Sequence, residues 1–155
     1  MRILVVSDTH RDRAALWQAI QSQPEADVVI HLGDGVEEAE EAKRSFPQKM
    51  FLIVRGNNDW ASRLPPDGLA SFGGKNIFYT HGYTYQVKYG VYTVIEEARS
   101  RKADILLYGH THEAETSYQD GLYIMNPGSL CGSYGTYGTL DITPAGIVTN
   151  IVRIN

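Results

Sequence analysis

Side chains that can bind metal ions follow the ends of five short apolar segments in this sequence. Four of the five histidines lie at such positions, together with two aspartates and an asparagine. Imidazole, carboxylate and amide groups without a thiolate favour manganese, iron, zinc or nickel over a soft, sulfur-bound ion. The candidate ligands are Asp8, His10, Asp34, Asn57, His81, His110 and His112.

This ligand set is too large for one four-coordinate ion, so it predicts two divalent ions that share a bridging carboxylate. A pair of ions roughly 3.5–4 Å apart is an arrangement that hydrolyses phosphate esters. The ions lower the pKa of a shared water to give a hydroxide near neutral pH, and they neutralise phosphoryl oxygens during in-line attack. The predicted chemistry therefore needs no protein nucleophile.

The same residues fall into blocks that resemble, in order, the signature blocks of the calcineurin-like metallophosphoesterases. Each block alone is weak, but the full set in the right order at predicted strand ends is a strong signal. The resemblance runs from Ile3 to Ser129 and looks closest to the family's small prokaryotic phosphodiesterases. The blocks are Asp8-Thr9-His10, Gly33-Asp34, Gly56-Asn57-Asn58-Asp59, His81-Gly82 and Gly109-His110-Thr111-His112.

The resemblance implies an α/β fold of four layers, α-β-β-α, in which two packed mixed β-sheets are flanked by helices. It also implies a metal-dependent phosphodiesterase that uses a hydroxide bound by two divalent ions. Manganese is the preferred ion, with iron, zinc or nickel as alternatives. By analogy one ion binds Asp8, His10 and His112, the other binds Asn57, His81 and His110, and Asp34 bridges the two.

One position departs from the family pattern. Many members carry histidine after the motif asparagine, where the ring is thought to protonate the leaving group or to bind the phosphate, and here the residue is Asn58. An amide cannot donate a catalytic proton, and general acid catalysis contributes about 10²–10⁴-fold. We therefore expect substrates with acidic leaving groups, while Asn58 either hydrogen-bonds a phosphate oxygen or only shapes the turn.

Short apolar runs rich in valine and isoleucine alternate with longer amphipathic stretches, a pattern that predicts a layered α/β domain. In such folds ligands bind outside the carboxyl ends of the strands, so residues far apart in the sequence can converge there. We expect strands at residues 3–7, 28–32, 51–55, 77–80 and 105–108.

Amphipathic stretches predict helices between the candidate cap Asp12 and Pro24, over residues 36–46 and over residues 91–101. The acidic run of the second helix is expected to be a solvated surface. Two sheets should then pack face to face with helices outside. Turn sequences predict antiparallel hairpins at residues 73–74, 120–121 and 144–146.

Residues near the motif blocks have roles that the sequence leaves open. Arg11 can clamp a phosphate or can simply be an exposed arginine at a helix start. Asp59 is expected to cap backbone amides, and His31 is expected to be a core or supporting residue rather than a ligand. Cys131 is expected to be an inert buried thiol.

Ten tyrosines are many for a chain of this length. Several flank the predicted site loops, where their rings can stack on a nucleobase, form a subunit interface or pack internally. Packing is the default, and an exposed loop over residues 83–89 would favour an interface. The clustered residues are Tyr83, Tyr85, Tyr89, Tyr134 and Tyr137.

Length and composition favour a single cytoplasmic domain over residues 1–155. Of its 155 residues, 43% are hydrophobic and 21% are charged, and the formal net charge is −4. The negative charge argues against a broad nucleic-acid surface. A single cysteine cannot form an internal disulfide, and the apolar runs are too short to span a membrane. We expect a small phosphodiester substrate and no membrane partner; a homo-oligomer is compatible with the sequence.

Two alternatives to the phosphodiesterase stay open. The fold also occurs in a retromer subunit whose metal site is degraded and which contacts partner proteins, so this chain can instead be a protein-binding scaffold that retains the fold and metal site. A metal hydroxide can also open other esters or amides. The complete ligand set favours the enzyme over the scaffold.

Overall fold

The computed structural model describes residues 1–154, which form ten strands and three α-helices. The predicted strands and helices are present, with ends that differ from the prediction by at most two residues. No helix within these residues is both long and apolar enough to cross a membrane. The elements are β1 (Arg2–Val6), α1 (Arg13–Ser22), β2 (Ala26–His31), α2 (Val36–Ser45), β3 (Met50–Ile53), β4 (Asp67–Phe72), β5 (Lys75–Thr80), α3 (Tyr92–Ser100), β6 (Ile105–Leu107), β7 (Glu115–Gln119), β8 (Leu122–Asn126), β9 (Thr136–Thr143) and β10 (Gly146–Arg153).

The first sheet has the strand order β10-β9-β1-β2-β3. Strands β1, β2 and β3 run parallel, whereas β9 and β10 form an antiparallel hairpin that pairs with β1. Parallel strands are rich in valine and isoleucine because both faces of such a sheet are covered. Residues 3–6 of β1 are accordingly fully buried.

The second sheet has the strand order β4-β5-β6-β8-β7, with parallel β5, β6 and β8 between antiparallel edge strands. The predicted turns at residues 73–74 and 120–121 join β4 to β5 and β7 to β8. The turn at residues 144–146 joins β9 to β10 in the other sheet. The two C-terminal hairpins therefore belong to different sheets.

The sheets pack face to face around a shared apolar core. Ile3 and Val28 of the first sheet meet Ile77 and Leu107 of the second in this core. Helices α1 and α2 cover the outer face of the first sheet, and α3 covers the outer face of the second. Alternate strand residues face different apolar layers, which produces the predicted four-layer α-β-β-α fold.

Parallel strands bring the candidate ligands to one edge of the fold. Strands β1, β2 and β3 of the first sheet, and β5 and β6 of the second, are each followed by a loop that carries a candidate ligand. The carboxyl ends of parallel strands meet at one edge of a sheet, where ligands bind in layered α/β folds. The topology therefore explains why residues more than 100 positions apart, such as Asp8 and His112, share one site.

Candidate metal centre

The candidate ligands gather into two clusters at this edge. Within each cluster the ligand atoms lie within 4.8 Å of one another. One cluster has two exposed histidines around a buried carboxylate, whereas the other is mostly buried. We name Asp8, His10 and His112 the rim cluster, and Asp34, His81 and His110 the floor cluster.

The spacing between ligand atoms suits metal binding. In the rim cluster, His10 Nε2 lies 3.2 Å from His112 Nε2. In the floor cluster, His81 Nε2 lies 3.1 Å from His110 Nδ1 and 3.2 Å from the side-chain oxygen of Asn57. Two atoms that each lie about 2.1 Å from one ion are about 3.0–3.4 Å apart at common coordination angles. Each pair is therefore close enough to bind one ion, and Asn57 extends the floor cluster.

Asp8 presents a buried side-chain oxygen to the clusters. Within residues 1–154, its buried Oδ1 has no hydrogen bond. The Nε2 atoms of His112, His10 and His81 surround this oxygen at 3.3, 3.6 and 3.9 Å. An unpaired carboxylate oxygen is costly to bury, and a cation at this point would remove that cost. The donor set therefore fits divalent metal ions.

Asp34 lies between the two clusters. Its Oδ2 is 3.6 Å from His81 Nε2 in the floor cluster and 4.0 Å from His10 Nε2 in the rim cluster. Asn58 holds the carboxylate in place, because its backbone N–H and its side-chain amide each donate to Asp34 at 2.8 Å. Asp34 is thus positioned to contact ions in both clusters.

The ring of His81 is fixed by the backbone. Its Nδ1 lies 2.8 Å from the Leu32 carbonyl oxygen, to which it donates in the Nδ1–H tautomer. This tautomer leaves the Nε2 lone pair facing the floor cluster. A carbonyl that orients a histidine in this way is a common feature of metal sites and increases the basicity of the ligand nitrogen.

Five of the candidate ligands have backbone φ angles in the left-handed region, between 43° and 72°. Residues other than glycine rarely adopt this conformation, although aspartate and histidine do so more often than most. Each instance costs of order 1–3 kcal/mol and such residues cluster at functional sites. The bends occur in the loops after the strands, at Asp8, His10, Asp34, His110 and His112.

Asp59 joins the loops that follow β2 and β3. Its carboxylate accepts the backbone N–H groups of Asp34 and Gly56 at 2.7 Å, and those of Gly35 and Val36 at 3.0 Å. The last two amides lie at the start of α2, so Asp59 also caps that helix. The predicted capping role of Asp59 is confirmed.

A buried chain of hydrogen bonds supports the loop after β1. His31 Nδ1 accepts the Gly33 N–H at 3.1 Å, its Nε2 lies 3.0 Å from the Thr9 hydroxyl, and that hydroxyl donates to Glu38 at 2.6 Å. Burial lowers the pKa of His31, which favours the neutral ring. His31 is thus a buried supporting residue, as predicted. The expectation that the acidic run of α2 is wholly solvated is wrong, because Glu38 is buried in this chain.

The two clusters differ in their affinity for protons. Burial opposes ionisation of Asp8, but the neighbouring His10 and His112 rings outweigh it and hold the pKa of Asp8 well below its usual range. The Asp8 carboxylate in turn raises the pKa of His10. Burial and the nearby His81 lower the pKa of His110. Without metal, His10 of the rim cluster therefore binds a proton more readily than His110 of the floor cluster.

A cavity of about 730 Å³ opens beside the clusters. Its walls include His10, Arg11, Asp34, Asn58 and Trp60. Arg11 is exposed at this cavity, so a phosphate contact by its guanidinium stays a prediction. The sequence pattern does not single out Trp60, although this residue directly follows the Asn57-Asn58-Asp59 motif and could have been flagged by that position.

The tyrosines do not share one environment. Tyr137 is buried, the Tyr85 hydroxyl donates to Asp67 at 2.6 Å, and the Tyr83 ring lies 5.6 Å from the His81 ring. Tyr89, in contrast, is 93% exposed. Packing explains some of the rings, and for the exposed Tyr89 an interface stays a prediction.

The prediction that Cys131 is buried is wrong. The thiol is exposed rather than buried. The preceding residue, Leu130, is fully buried, and the chain then enters a surface segment over residues 131–134. The sequence does not reveal that the chain leaves the core between these two neighbours.

Comparison with known proteins finds matches over most of the chain. Residues 1–144 match the family described as calcineurin-like phosphoesterase superfamily domain. Phosphodiesterase MJ0936 of Methanocaldococcus jannaschii is 29% identical over 161 residues, an alignment that covers 91% of this chain and 93% of that protein.

Solved structures share the fold. A conserved protein of Streptococcus pneumoniae TIGR4, described as a predicted phosphoesterase, superposes with a TM-score of 0.84 at 23% identity and covers 99% of this chain and 89% of that chain. A Vps29 variant from Entamoeba histolytica superposes with a TM-score of 0.76 at 20% identity, covering 100% of both chains. At these identities the similarity concerns the fold alone.

Proposed function

Because this chain belongs to the calcineurin-like phosphoesterase superfamily, we propose that it is a metal-dependent phosphodiesterase that uses two divalent ions, manganese preferred. The reaction adds water across a P–O bond of the diester and releases a monoester and an alcohol. The similarity to phosphodiesterase MJ0936 supports the choice of a diester over a monoester.

The observation that carries this proposal is the unpartnered Asp8 Oδ1, which lies among histidines of both clusters. Asp8, as a buried anion without a hydrogen bond at this oxygen, needs positive charge at the point where the two clusters meet. In our assignment the rim cluster holds one ion. The floor cluster and Asn57 would hold the other, and Asp34 would contact both.

The residues of the chain position the ions and the phosphate. A pair of bound divalent ions supplies an activated water and stabilises the charge on the phosphoryl oxygens. Asn58 orients the bridging Asp34 through one N–H of its side-chain amide. Because that amide carries a second N–H, Asn58 can also donate to a phosphate oxygen.

The absence of histidine at position 58 defines the expected leaving groups. An amide cannot protonate the departing oxygen, so the rate should depend steeply on the acidity of the leaving alcohol. Turnover of aryl methyl phosphates with leaving-group pKa values from about 7 to 10 tests this expectation. A flat dependence would indicate that another group donates the proton.

Chelated protein assayed with and without added manganese tests the proposal directly. We expect hydrolysis of bis(p-nitrophenyl) phosphate only with metal, and at a higher kcat/KM than for p-nitrophenyl phosphate. Preference for the monoester would contradict the phosphodiesterase assignment. No turnover of either ester by protein that binds two ions would instead favour a scaffold.

A protein-binding scaffold is the second candidate. The exposure of Tyr89 and Tyr92 favours an interaction surface, for a partner or a second copy, on a fold that Vps29 shares. If the surface binds a second copy, replacing both tyrosines with serine should weaken self-association. Size-exclusion chromatography with light scattering would then give a lower mass for the variant than for the wild type. The enzyme predicts instead that the same variant keeps its metal-dependent turnover.

A further inference from the structure

The cavity beside the clusters presents an aromatic surface that the proposed hydrolysis does not use. Trp60 lines this cavity and is 86% exposed, although tryptophan is highly buried on average. Its indole N–H donates to the Asn57 carbonyl oxygen at 2.9 Å, so the ring is anchored to a loop that carries a candidate ligand. The ring therefore has an anchored orientation and an open surface next to the proposed site of phosphate binding.

The cavity lining identifies the kind of group that fits on this ring. Glu37 and Ser62 offer polar groups, whereas Val36 and Ala61 are apolar. A lining of this mixed kind suits a flat ring with polar edges and an attached sugar. The volume of about 730 Å³ lies within the usual range for small-molecule sites and leaves room for a nucleoside.

Arg11 adds a positive charge to the same cavity. The nearby Arg13 guanidinium already forms an ion pair with Glu41 at 2.8 Å and lies over the Trp17 ring. The Arg11 side chain lines the cavity, and within residues 1–154 its guanidinium makes no hydrogen bond or ion pair, whereas its backbone N–H donates to Glu38 at 2.7 Å. The Arg11 guanidinium can therefore contact a phosphate oxygen or stack on a base.

We propose that this cavity binds the nucleoside of a nucleotide diester, with the base stacked on Trp60 and the phosphate at the two clusters. This inference rests on the proposed function and specifies its substrate class. In the reaction, a water oxygen bonds to phosphorus, the P–O bond to the leaving alcohol breaks, and the leaving oxygen takes a proton from the water. A nucleoside monophosphate and an alcohol are released.

Two chromogenic diesters with the same leaving group test the proposal. Thymidine 5′-(p-nitrophenyl) phosphate carries a base, and methyl p-nitrophenyl phosphate does not. We expect the wild-type kcat/KM ratio of the first to the second to exceed one, and to fall about tenfold in Trp60→Ala because stacking is lost. The ratio is the diagnostic quantity because the Trp60 N–H also supports Asn57.

Matched variants separate stacking from structural effects. Trp60→Phe keeps a ring but loses the N–H, so it should retain most of the ratio. Tyr118→Ala removes another aromatic residue, 60% exposed on β7, and should leave the ratio unchanged. A wild-type ratio near one, or a ratio that survives in Trp60→Ala, would overturn the proposal.

A binding measurement separates this inference from the proposed function. Thymidine 5′-phosphate should quench tryptophan fluorescence in the wild type but not in Trp60→Phe, where Trp17 remains as the internal control. Quenching without manganese-dependent hydrolysis of either diester would refute the phosphodiesterase and retain the nucleoside site. No quenching, or equal quenching by glucose 1-phosphate, would overturn the nucleoside site itself.

Discussion

The rim and floor clusters contain the same kinds of side chain in different surroundings. The exposed fractions of the His10 and His112 side chains are 33% and 48%, whereas that of His81 is 0%. The Leu32 carbonyl fixes the His81 ring, but the Nε2 atoms of His10 and His112 face each other. Ligands that are already oriented bind an ion with a smaller loss of side-chain freedom. We therefore expect the floor cluster to bind the first ion and the rim cluster to exchange its ion with solvent.

Replacing the residue between the clusters should affect both of them. Asp34→Asn removes the negative charge that lies near His10 and His81. We expect kcat for manganese-dependent diester hydrolysis to fall by about 10³-fold or more, since the charge that joins the two sites is lost. Metal titration by calorimetry should show fewer bound ions, with an unchanged far-UV circular dichroism spectrum.

Asp27→Asn is the matched control for this change. Asp27 is an exposed carboxylate on β2, near the opposite end of the strand from Asp34. Its replacement should leave both turnover and metal stoichiometry unaltered. Wild-type-like activity in folded Asp34→Asn would refute the bridging assignment.

The difference between predictable and unpredictable parts of the site has a physical origin. Asp8, Asp34 and His81 can be predicted because strand ends are visible in the sequence and parallel strands deliver their ends to one edge. Glu38 lies in an acidic run, and composition alone does not tell which carboxylate of a helix turns inward. Only the packing of α2 against the loop after β1 decides that Glu38 accepts the Thr9 hydroxyl.

The exposure of single residues is equally hidden from the sequence. Trp60 is a residue type that is usually buried, yet it lies open at the cavity. Cys131 was expected inside and lies outside. In both cases the path of a loop decides the exposure, and that path depends on distant contacts. Next to Cys131, for example, the Gly132 N–H donates to the Asp12 carboxylate at 2.8 Å. Local sequence patterns predict strands and helices better than they predict the paths of loops.

A steric change tests whether the exact position of Asp34 matters as much as its charge. A Cβ atom at Gly56 would overlap the Asp34 carboxylate and backbone, which lie directly against the glycine. Gly56→Ala should therefore displace Asp34 and lower kcat by about 10²-fold, because a shift of about 1 Å can cost that much. A crystal structure of the variant would show whether Asp34 has moved.

Gly121→Ala provides the comparison for Gly56→Ala. Gly121 has a φ of 83° in the turn between β7 and β8, where a Cβ has open space around it. The substitution should lower stability through backbone strain and leave kcat nearly unchanged. Equal losses of activity in the two variants would mean that general destabilisation, rather than displacement of Asp34, is responsible.

Removing one histidine from each cluster tests the expected order of metal binding. His81→Ala deletes a buried, oriented ligand and should weaken the tighter ion by about 10²-fold, abolishing turnover without unfolding the protein. His112→Ala deletes an exposed ligand and should weaken the other ion by about tenfold. Calorimetric titration with manganese measures both. The reverse order of effects would assign the tighter ion to the rim cluster.

Proton binding in the metal-free protein provides the mildest test of the difference between the clusters. The pKa of His10 is raised by Asp8, so we expect it above the ordinary value of about 6.5, while burial places that of His110 below it. The folded state thus holds the His10 proton more tightly than the unfolded state does. Its contribution to stability is present below about pH 6.5 and is lost as the pH rises through the raised pKa. For His110 the contribution is present above about pH 6.5 and is lost as the pH falls.

Nuclear magnetic resonance titration of the imidazole nitrogens in chelated protein reads both groups separately. Asp8→Asn should return the His10 pKa toward about 6.5, because the carboxylate that raises it is gone. The His110 pKa should stay below that value, because burial lowers it and Asp8 only opposes this shift. If His10 and His110 titrated together in the wild type, the two clusters would not differ electrostatically. Metal binding would then lose its expected pH dependence at the rim, where protons compete with the ion for His10.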